Sequence, residues 1–375
     1  MLIGICGAIC AGKHTTAEYL VQHHGFLRLH LPSQLQLTGR QSEDTKRLLP
    51  SVTDEKGTRG LTFPDVDALL DFVTKRWREH WVLTDIHDDS TLELLLRRPF
   101  FLLLSVDAPV SLRYRRFTAR CEKRSLGPMP LLDFITINDY QLYGTTKFSN
   151  GTAANSTNPQ RDTSAGIAHL LPKAHLHILN QHTSSSAYYS FLDTLDLPSP
   201  VRLRPTWDAY FMTLASLASL RSNCMKRRVG CVLVHNSRII STGYNGTPRN
   251  LTNCNEGGCA RCNSANSGGV ALSTCLCLHA EENALLEAGR ERIREGAVLY
   301  CDTCPCLTCS VKIAQVGVKE VVYSQSYNMD DASRRVLKEA GVELRQYSPP
   351  SGGLLGSGLG LGDSTDLVIR NGKSS

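Results

Sequence analysis

The tightest constraint on this 375-residue chain comes from two short stretches, HAEENA at 279–284 and PCLTC at 305–309. Pro305 suits the first position of a helix, where its missing N–H costs nothing. Cys306 and Cys309 then lie three apart on one face of the first turn, and the positive end of the helix dipole favours their thiolates. A second helix is expected to run from His279 to about Ala288. With His279, the two cysteines make three protein ligands of the kind zinc takes when a fourth tetrahedral position is kept for water.

Glu281 falls beside that open position without ligating. Zinc lowers the pKa of bound water towards 7, and a carboxylate able to accept that proton and return it supplies a general acid/base step. A lone CxxC is more often structural, and a lone histidine is usually a core or surface residue. What favours chemistry is the conjunction of HxE, the proline, the intervening strand AVLYC and the helical setting. Together HxE and PCxxC match the signature of zinc nucleobase deaminases. That resemblance implies hydroxide addition at C4 of a pyrimidine, with Glu281 delivering protons to N3 and to the departing ammonia.

The sulfur is unevenly distributed. Of 14 cysteines, 11 lie between Cys224 and Cys309. The opening MLIGICGAICAGKHTT lacks the basic and apolar regions of a secretory signal, and no apolar run approaches the ~18 residues of a membrane span. The expected location is therefore cytoplasmic, with the nucleus also open, where clustered cysteines serve as metal ligands or catalytic groups more often than as disulfides. Cys301 reads as a packed strand residue and Cys304 as a helix-cap thiol.

Composition shifts divide the chain. Residues 145–165, TTKFSNGTAANSTNPQRDTSA, lack apolar periodicity and read as a disordered insertion. Three prolines in LDLPSPVRLRP, 195–205, break periodicity and mark a boundary. The expected plan is a first domain over 1–195, a linker at 196–205, a second domain over 206–347 and a flexible tail from 348 to 375. In the first domain MLIGICG, WVLTD, FFLLLSVD and AHLHILN are short apolar runs separated by helical lengths, which predicts a parallel α/β sheet covered on both faces. In the second, WDAYFMTLASLASLR carries Trp207, Tyr210, Phe211, Leu214 and Ala218 at helical spacing. VGCVLVH and RIISTG form a hairpin at Asn236-Ser237. The order α-β-β-α-β-α-β-α-β predicts a three-layer α/β/α domain around a five-stranded sheet.

GAICAGKH, residues 7–14, follows a predicted strand and resembles the phosphate loop GxxxxGK[ST], with Gly7, Gly12, Lys13 and Thr15 as candidate phosphate-loop residues. His14 stands where the motif places the hydroxyl that holds Mg²⁺, though Thr15 and Thr16 follow. Asp85, ending WVLTD, is a candidate metal-side carboxylate. SVDAPVSLRYRRF resembles the lid-proximal part of nucleoside monophosphate or dephospho-coenzyme A kinases. The resemblance implies a P-loop kinase-like fold, with either a kinase or nucleotide sensor or a degenerate domain retained for assembly.

WDAYFM, RSNCMKRRVGCVLV, STGYNGTP, NCNEGGCARC, CLCLHAEENALLEAG and CDTCPCLTCSVKIAQVGVKEVVY together resemble the deoxycytidylate (dCMP) deaminases, in particular their long fungal form, across residues 205–347. The resemblance implies conversion of dCMP to dUMP for thymidylate synthesis. It also implies activation by dCTP, inhibition by dTTP, and a homo-oligomer, usually a hexamer. It further implies a second, structural zinc drawn from Cys224, Cys254 and Cys275, completed by Cys259 or Cys277; Cys262 belongs to the same stretch. For the substrate, Asn245 offers an amide to sugar and base, or else stabilises the turn YNG. Arg228 is the first choice for the 5′-phosphate within a basic cluster that also holds Arg221, Lys226 and Arg227. Tyr327 is placed to close the pocket, or to pack at a strand end.

Two other functions compete. A deaminase of RNA or single-stranded DNA would need basic and aromatic surface beyond the pocket, and only 7% of residues are aromatic with a net charge of +6. No membrane partner is expected. The remaining alternative is a non-catalytic, zinc-scaffolded assembly protein that senses nucleotides.

Overall fold

The computed structural model describes residues 1–32, 60–127, 129–144, 166–264, 274–326 and 331–347. The segments read as a disordered insertion and a flexible tail lie outside the described residues, as does Tyr327. The chain divides into two units, Met1–Arg204 and a second beginning at Pro205.

In the first unit the order is β1 (Leu2–Gly7), α1 (Lys13–His24), β2 (Leu27–His30), β3 (Gly60–Thr62), α2 (Val66–Lys75), β4 (Trp81–Leu83), α3 (Asp89–Leu96), β5 (Phe101–Asp107), α4 (Val110–Lys123), α5 (Leu131–Tyr143), β6 (Leu176–Leu179) and α6 (Ser185–Leu195). The strands form one parallel sheet ordered β3-β2-β4-β1-β5-β6. Both faces are covered, and the apolar runs divide by alternation. Ile3, Ile5, Leu102 and Leu104 join one core, while Leu2, Cys6, Phe101 and Leu103 join the other. β2 and β3 add to the strands expected from apolar runs. Leu27–His30 has four residues with polar ones interleaved, and Gly60–Thr62 is exposed throughout, so neither carries an apolar run.

The loop after β1 leaves the carboxyl end of the sheet between β4 and β5. Strand order reverses there, and such switch points are where open parallel sheets bind ligands. The proline-rich stretch before Pro205 packs on this unit. Leu197 is fully buried in its core, Pro200–Arg202 forms a 3₁₀ turn, and the Arg202 Nε donates to the Asp196 carbonyl at 3.0 Å.

The second unit contains α7 (Trp207–Ser219), β7 (Gly230–His235), β8 (Arg238–Tyr244), α8 (Ala280–Ala288), β9 (Val298–Thr303), α9 (Leu307–Val316), β10 (Glu320–Gln325), α10 (Asp331–Glu339) and β11 (Glu343–Gln346). Its five-stranded sheet runs β11-β10-β9-β7-β8, with β7 antiparallel to both neighbours and the β9-β10-β11 half parallel. The hairpin turn uses φ of 48° at Asn236 and 57° at Ser237, both positive as a two-residue I′ turn requires.

β7 separates the two faces. Cys231 and Leu233 point to the side of α8 and α9, while Val232 and Val234 point to α7. Thr206 caps α7, its hydroxyl accepting from the Ala209 N–H at 3.2 Å. The buried stripe of α7 is Ala209, Phe211, Met212 and Ala215, shifted from the expected one. Trp207 and Tyr210 remain 55% and 42% exposed, because the small Ala209 and Ala215 are what let the helix approach β7. An ion-pair network holds α7 to the β11 edge. Arg345 binds Asp208 at 2.7 Å and Glu320 at 2.7 Å, and the Tyr300 hydroxyl donates to Asp208 at 2.9 Å. Among the described residues, no helix is long and apolar enough to cross a membrane.

Candidate functional site

Two helix N-termini build the site. His279 is the N-cap of α8, with extended backbone, and Cys306 is the N-cap of α9, also extended. This corrects the start of the helix expected to open at Pro305. Pro305 lies just outside it, so Cys306 caps and Cys309 occupies the first turn. The Cys309 backbone N–H then points at the Cys306 sulfur.

The His279 Nδ1 lies 3.3 Å from the Cys306 Sγ and 3.3 Å from the Cys309 Sγ. Zinc takes histidine nitrogen at about 2.0 Å and thiolate at about 2.3 Å, so tetrahedral neighbours stand about 3.5 Å apart. The three donors therefore fit that ion without rearrangement. Hydrogen bonds from Cys309, and next from His279, hold the Cys306 thiol down to about 3 against the opposing effect of burial.

Packing positions α8 closely. A Cβ at Gly243 on β8 would stand 2.1 Å from the Ala280 carbonyl oxygen and 2.5 Å from the Ala284 nitrogen, so only glycine admits the helix backbone there. Ser241 donates to the Ala284 carbonyl at 2.8 Å, and the Asn283 amide donates to the Tyr244 carbonyl at 2.9 Å. Glu281, in the first turn, is 4% exposed. Burial lifts its carboxyl to about 7, and the charges of His279 and Cys306 act on it directly. Its neighbour Glu282 is instead engaged by Lys312 of α9. Asp302, at the end of β9, accepts from the Gly230 N–H at 3.0 Å and acts electrostatically on Glu281. The sequence offered no signal for it, since an Asp following a strand cysteine has no motif of its own.

Cys301 is fully buried opposite Cys231 across the β7–β9 pair, and Cys304 is nearly buried, its N–H bonded to the Gln325 carbonyl at 3.1 Å.

The other six cysteines gather in the loops before α8. Two groups of four have sulfurs close enough for a metal ion, Cys224, Cys254, Cys262, Cys277 and Cys259, Cys262, Cys275, Cys277. The set expected from the resemblance, Cys224, Cys254 and Cys275 with Cys259 or Cys277, does not converge as one foursome among the described residues. Cys262 is the member it lacked, because the helical turn Ala260–Asn263 swings that side chain inward between the two groups.

Asn245 is 7% exposed, and most of its amide serves the chain. Its Oδ1 accepts from the Val229 N–H at 2.8 Å and the Ser222 hydroxyl at 2.7 Å, and its Nδ2 donates to the Arg227 carbonyl at 2.7 Å. Arg228 is exposed and makes no hydrogen bond or ion pair with the described residues. Arg227 binds Gln325 at 2.7 Å, and Lys226 binds the Ser264 carbonyl at 3.0 Å. Arg221, Ser222, Asn223, Tyr244, Asn253 and Asn255 line a polar cleft of about 250 Å³.

In the first unit, Gly7 ends β1 at φ 148°, where a Cβ would strike the Val106 carbonyl, and Gly12 precedes α1 at φ 122°. The Lys13 amine folds back onto the Gly7 carbonyl at 2.7 Å and the Ala8 carbonyl at 3.4 Å, and burial lowers it to about 8. Arg116 donates to the carbonyls of Cys10 and Ala11 at 3.2 and 3.0 Å. Thr15 is half-buried, while the Thr16 hydroxyl bonds the Gly12 carbonyl and the Tyr188 hydroxyl. Asp85 accepts from the Leu31 N–H at 3.2 Å and pairs with His30 at 3.3 Å.

Comparison with known proteins bears on residues 205–325, which match the family model for the cytidine and deoxycytidylate deaminase zinc-binding region. Over 93% of its length the chain is 49% identical to the deoxycytidylate deaminase of Schizosaccharomyces pombe, covering 98% of that protein. It is 46% identical to the deoxycytidylate deaminase of Saccharomyces cerevisiae over 75% of this chain and 86% of that one. A solved dCMP deaminase of cyanophage S-TIM5, in complex with dCMP and dUMP, is 36% identical over 38% of this chain and 98% of its own, with a TM-score of 0.31.

Proposed function

We propose a residue-level mechanism from one premise: the chain belongs to the deoxycytidylate deaminase family, and its reaction is the zinc-dependent hydrolysis of dCMP to dUMP and ammonia. The observation that carries the mechanism is the meeting of His279, Cys306 and Cys309 at two helix caps, with the buried Glu281 beside them.

Those three side chains would hold the zinc. The ion supplies Lewis acidity that makes a water molecule nucleophilic near neutral pH. Glu281 takes the proton that the water loses as it adds to C4. It passes that proton to N3, and the proton left on the oxygen added at C4 goes through the same carboxyl to the amine, so that the C4–N bond breaks, the C4 carbonyl forms and ammonia leaves. Burial suits the carboxyl to this exchange, because a proton carrier works best when its affinity lies near the working pH. The 5′-phosphate is assigned to Arg228, whose exposed guanidinium is uncommitted among the described residues, and to Asn245 falls a contact with the sugar through the one amide N–H that its bonds to the chain leave over; Tyr327 lies outside the described residues.

We assign regulation to dCTP as activator and dTTP as inhibitor, acting on a homo-oligomer of hexameric size in the cytoplasm. The apolar surface left on α7 and just after it, Trp207, Tyr210, Leu217 and Leu220, supports self-association. The first unit is assigned a P-loop kinase-like fold kept for assembly. His14 at the Mg²⁺ position supports a scaffold over a kinase.

The test is ammonia release from dCMP, CMP and deoxycytidine, each with dCTP or dTTP added separately, on protein of measured mass in solution. Turnover confined to dCMP, raised by dCTP and lowered by dTTP, is expected. Turnover of polynucleotide cytosine with none on free dCMP would overturn the substrate assignment.

A further inference from the structure

Six thiols lie together in the loops before α8, and they form two overlapping foursomes that share Cys262 and Cys277. A thiolate sits about 2.3 Å from zinc, so tetrahedral neighbours lie about 3.8 Å apart. The sulfur separations match that value: 3.8 Å for Cys224–Cys262, 3.9 Å for Cys262–Cys277, 3.6 Å for Cys262–Cys275 and 3.9 Å for Cys259–Cys275. None approaches the roughly 2.05 Å of a disulfide.

One ion cannot account for this arrangement. Placed among Cys224, Cys254, Cys262 and Cys277, it leaves Cys259 and Cys275 buried or half-buried at metal-ligand spacing with nothing to bind. Placed in the other foursome, it strands Cys224 and Cys254. Two tetrahedra sharing one edge use every sulfur, because eight coordination positions are filled by six thiolates when two of them bridge.

From this we infer that the chain carries a binuclear six-cysteine zinc cluster, with Cys262 and Cys277 bridging, Cys224 and Cys254 terminal on one ion, and Cys259 and Cys275 terminal on the other. Six thiolates and two divalent ions leave two negative charges. Donors surround the sulfurs accordingly. The Met225 N–H points at Cys254 and the Leu276 N–H at Cys259, each at 3.4 Å, and the Arg261 guanidinium reaches Cys275 at 3.9 Å. Among the described residues no aliphatic side chain shares this buried cluster, so apolar packing gives these loops little support that metal would not have to supply.

The inference is tested on full-length protein purified under reducing conditions, without reference to turnover. Zinc is counted per chain by mass spectrometry of the native protein and by elemental analysis. Three ions are expected, one at His279, Cys306 and Cys309 and two in the cluster. Replacement by cobalt(II) should give two ions magnetically coupled through shared sulfur and one uncoupled ion. Cys259→Ala should bind one ion fewer and lose that coupling while keeping the thiolate-to-cobalt absorption of the ion that remains. Two zinc ions per chain, or three cobalt ions with no coupling, would overturn the inference.

Discussion

The second unit holds two sulfur sites built on opposite principles. At the three-ligand centre, His279 and Cys306 cap helices whose bodies are anchored by Ala280, Ala284 and Ile313 in the apolar core. Its geometry exists because the fold exists. In the six-cysteine loops, among the described residues, the cysteines cluster with other cysteines, on segments that include a four-residue helical turn and a 3₁₀ turn. There, on the cluster inferred above, the geometry would be held by metal. A site that must leave a position open for chemistry needs rigidity from elsewhere, whereas a closed site can supply its own, on the order of 10 kcal/mol for structural zinc.

The sharpest way to break this contrast is at Glu281. Glu281→Gln should lower kcat by about 10²–10⁴-fold, the usual worth of a proton-transfer group, while zinc content and thermal stability stay unchanged. A full-rate variant would remove the carboxyl from the mechanism. Metal removal tests the other half. Hydrogen exchange during mild chelation should show residues 254–262 and 275–278 losing protection while β7, β9 and α8 keep theirs. Simultaneous loss everywhere would mean that both sites depend on metal alike.

Gly243→Ala bears on the helix-anchored centre only. The added methyl must displace the α8 backbone, which should cost about 1–3 kcal/mol of stability and lower turnover, read by denaturant unfolding beside a zinc count that stays the same. The smallest effect belongs to a pair in neither site. Hydrogen bonding from Arg345 holds the Asp208 carboxyl below its ordinary value. Its stabilisation is therefore full above the unfolded pKa near 4 and is lost as pH falls through the lower folded value. Asp208→Asn should cost about 1 kcal/mol at pH 7 and flatten the acid side of the Tm-against-pH curve, with both metal sites unaffected.

The two sites also differed in how much their sequence disclosed. His279, Glu281, Cys306 and Cys309 were legible because each pair is fixed by one helical turn, and local periodicity is written in the spacing. The six cysteines of the loops were legible as candidates but their grouping was not, since it depends on how a loop folds back, and no spacing encodes the inward turn of Cys262. The element order β-β-α-β-α-β-α-β after α7 followed from alternating runs and punctuation. The exact cap at Cys306 did not, because a proline just outside a helix and one at its first position read alike. Trp207 and Tyr210 were misplaced for a related reason: helical spacing identifies a stripe without saying which side meets the sheet.

A single backbone bridge joins Gly246 to Leu278, the Leu278 N–H donating at 2.9 Å and the Gly246 N–H returning a bond at 3.2 Å. Leu278 lies between Cys277 and His279, and Gly246 follows the clamped Asn245. A protein engineer wishing to graft this chemistry onto another scaffold could not lift out the helix pair alone. The smallest transplantable part would be α8 and α9 together with the bridge and the cysteine loops behind it.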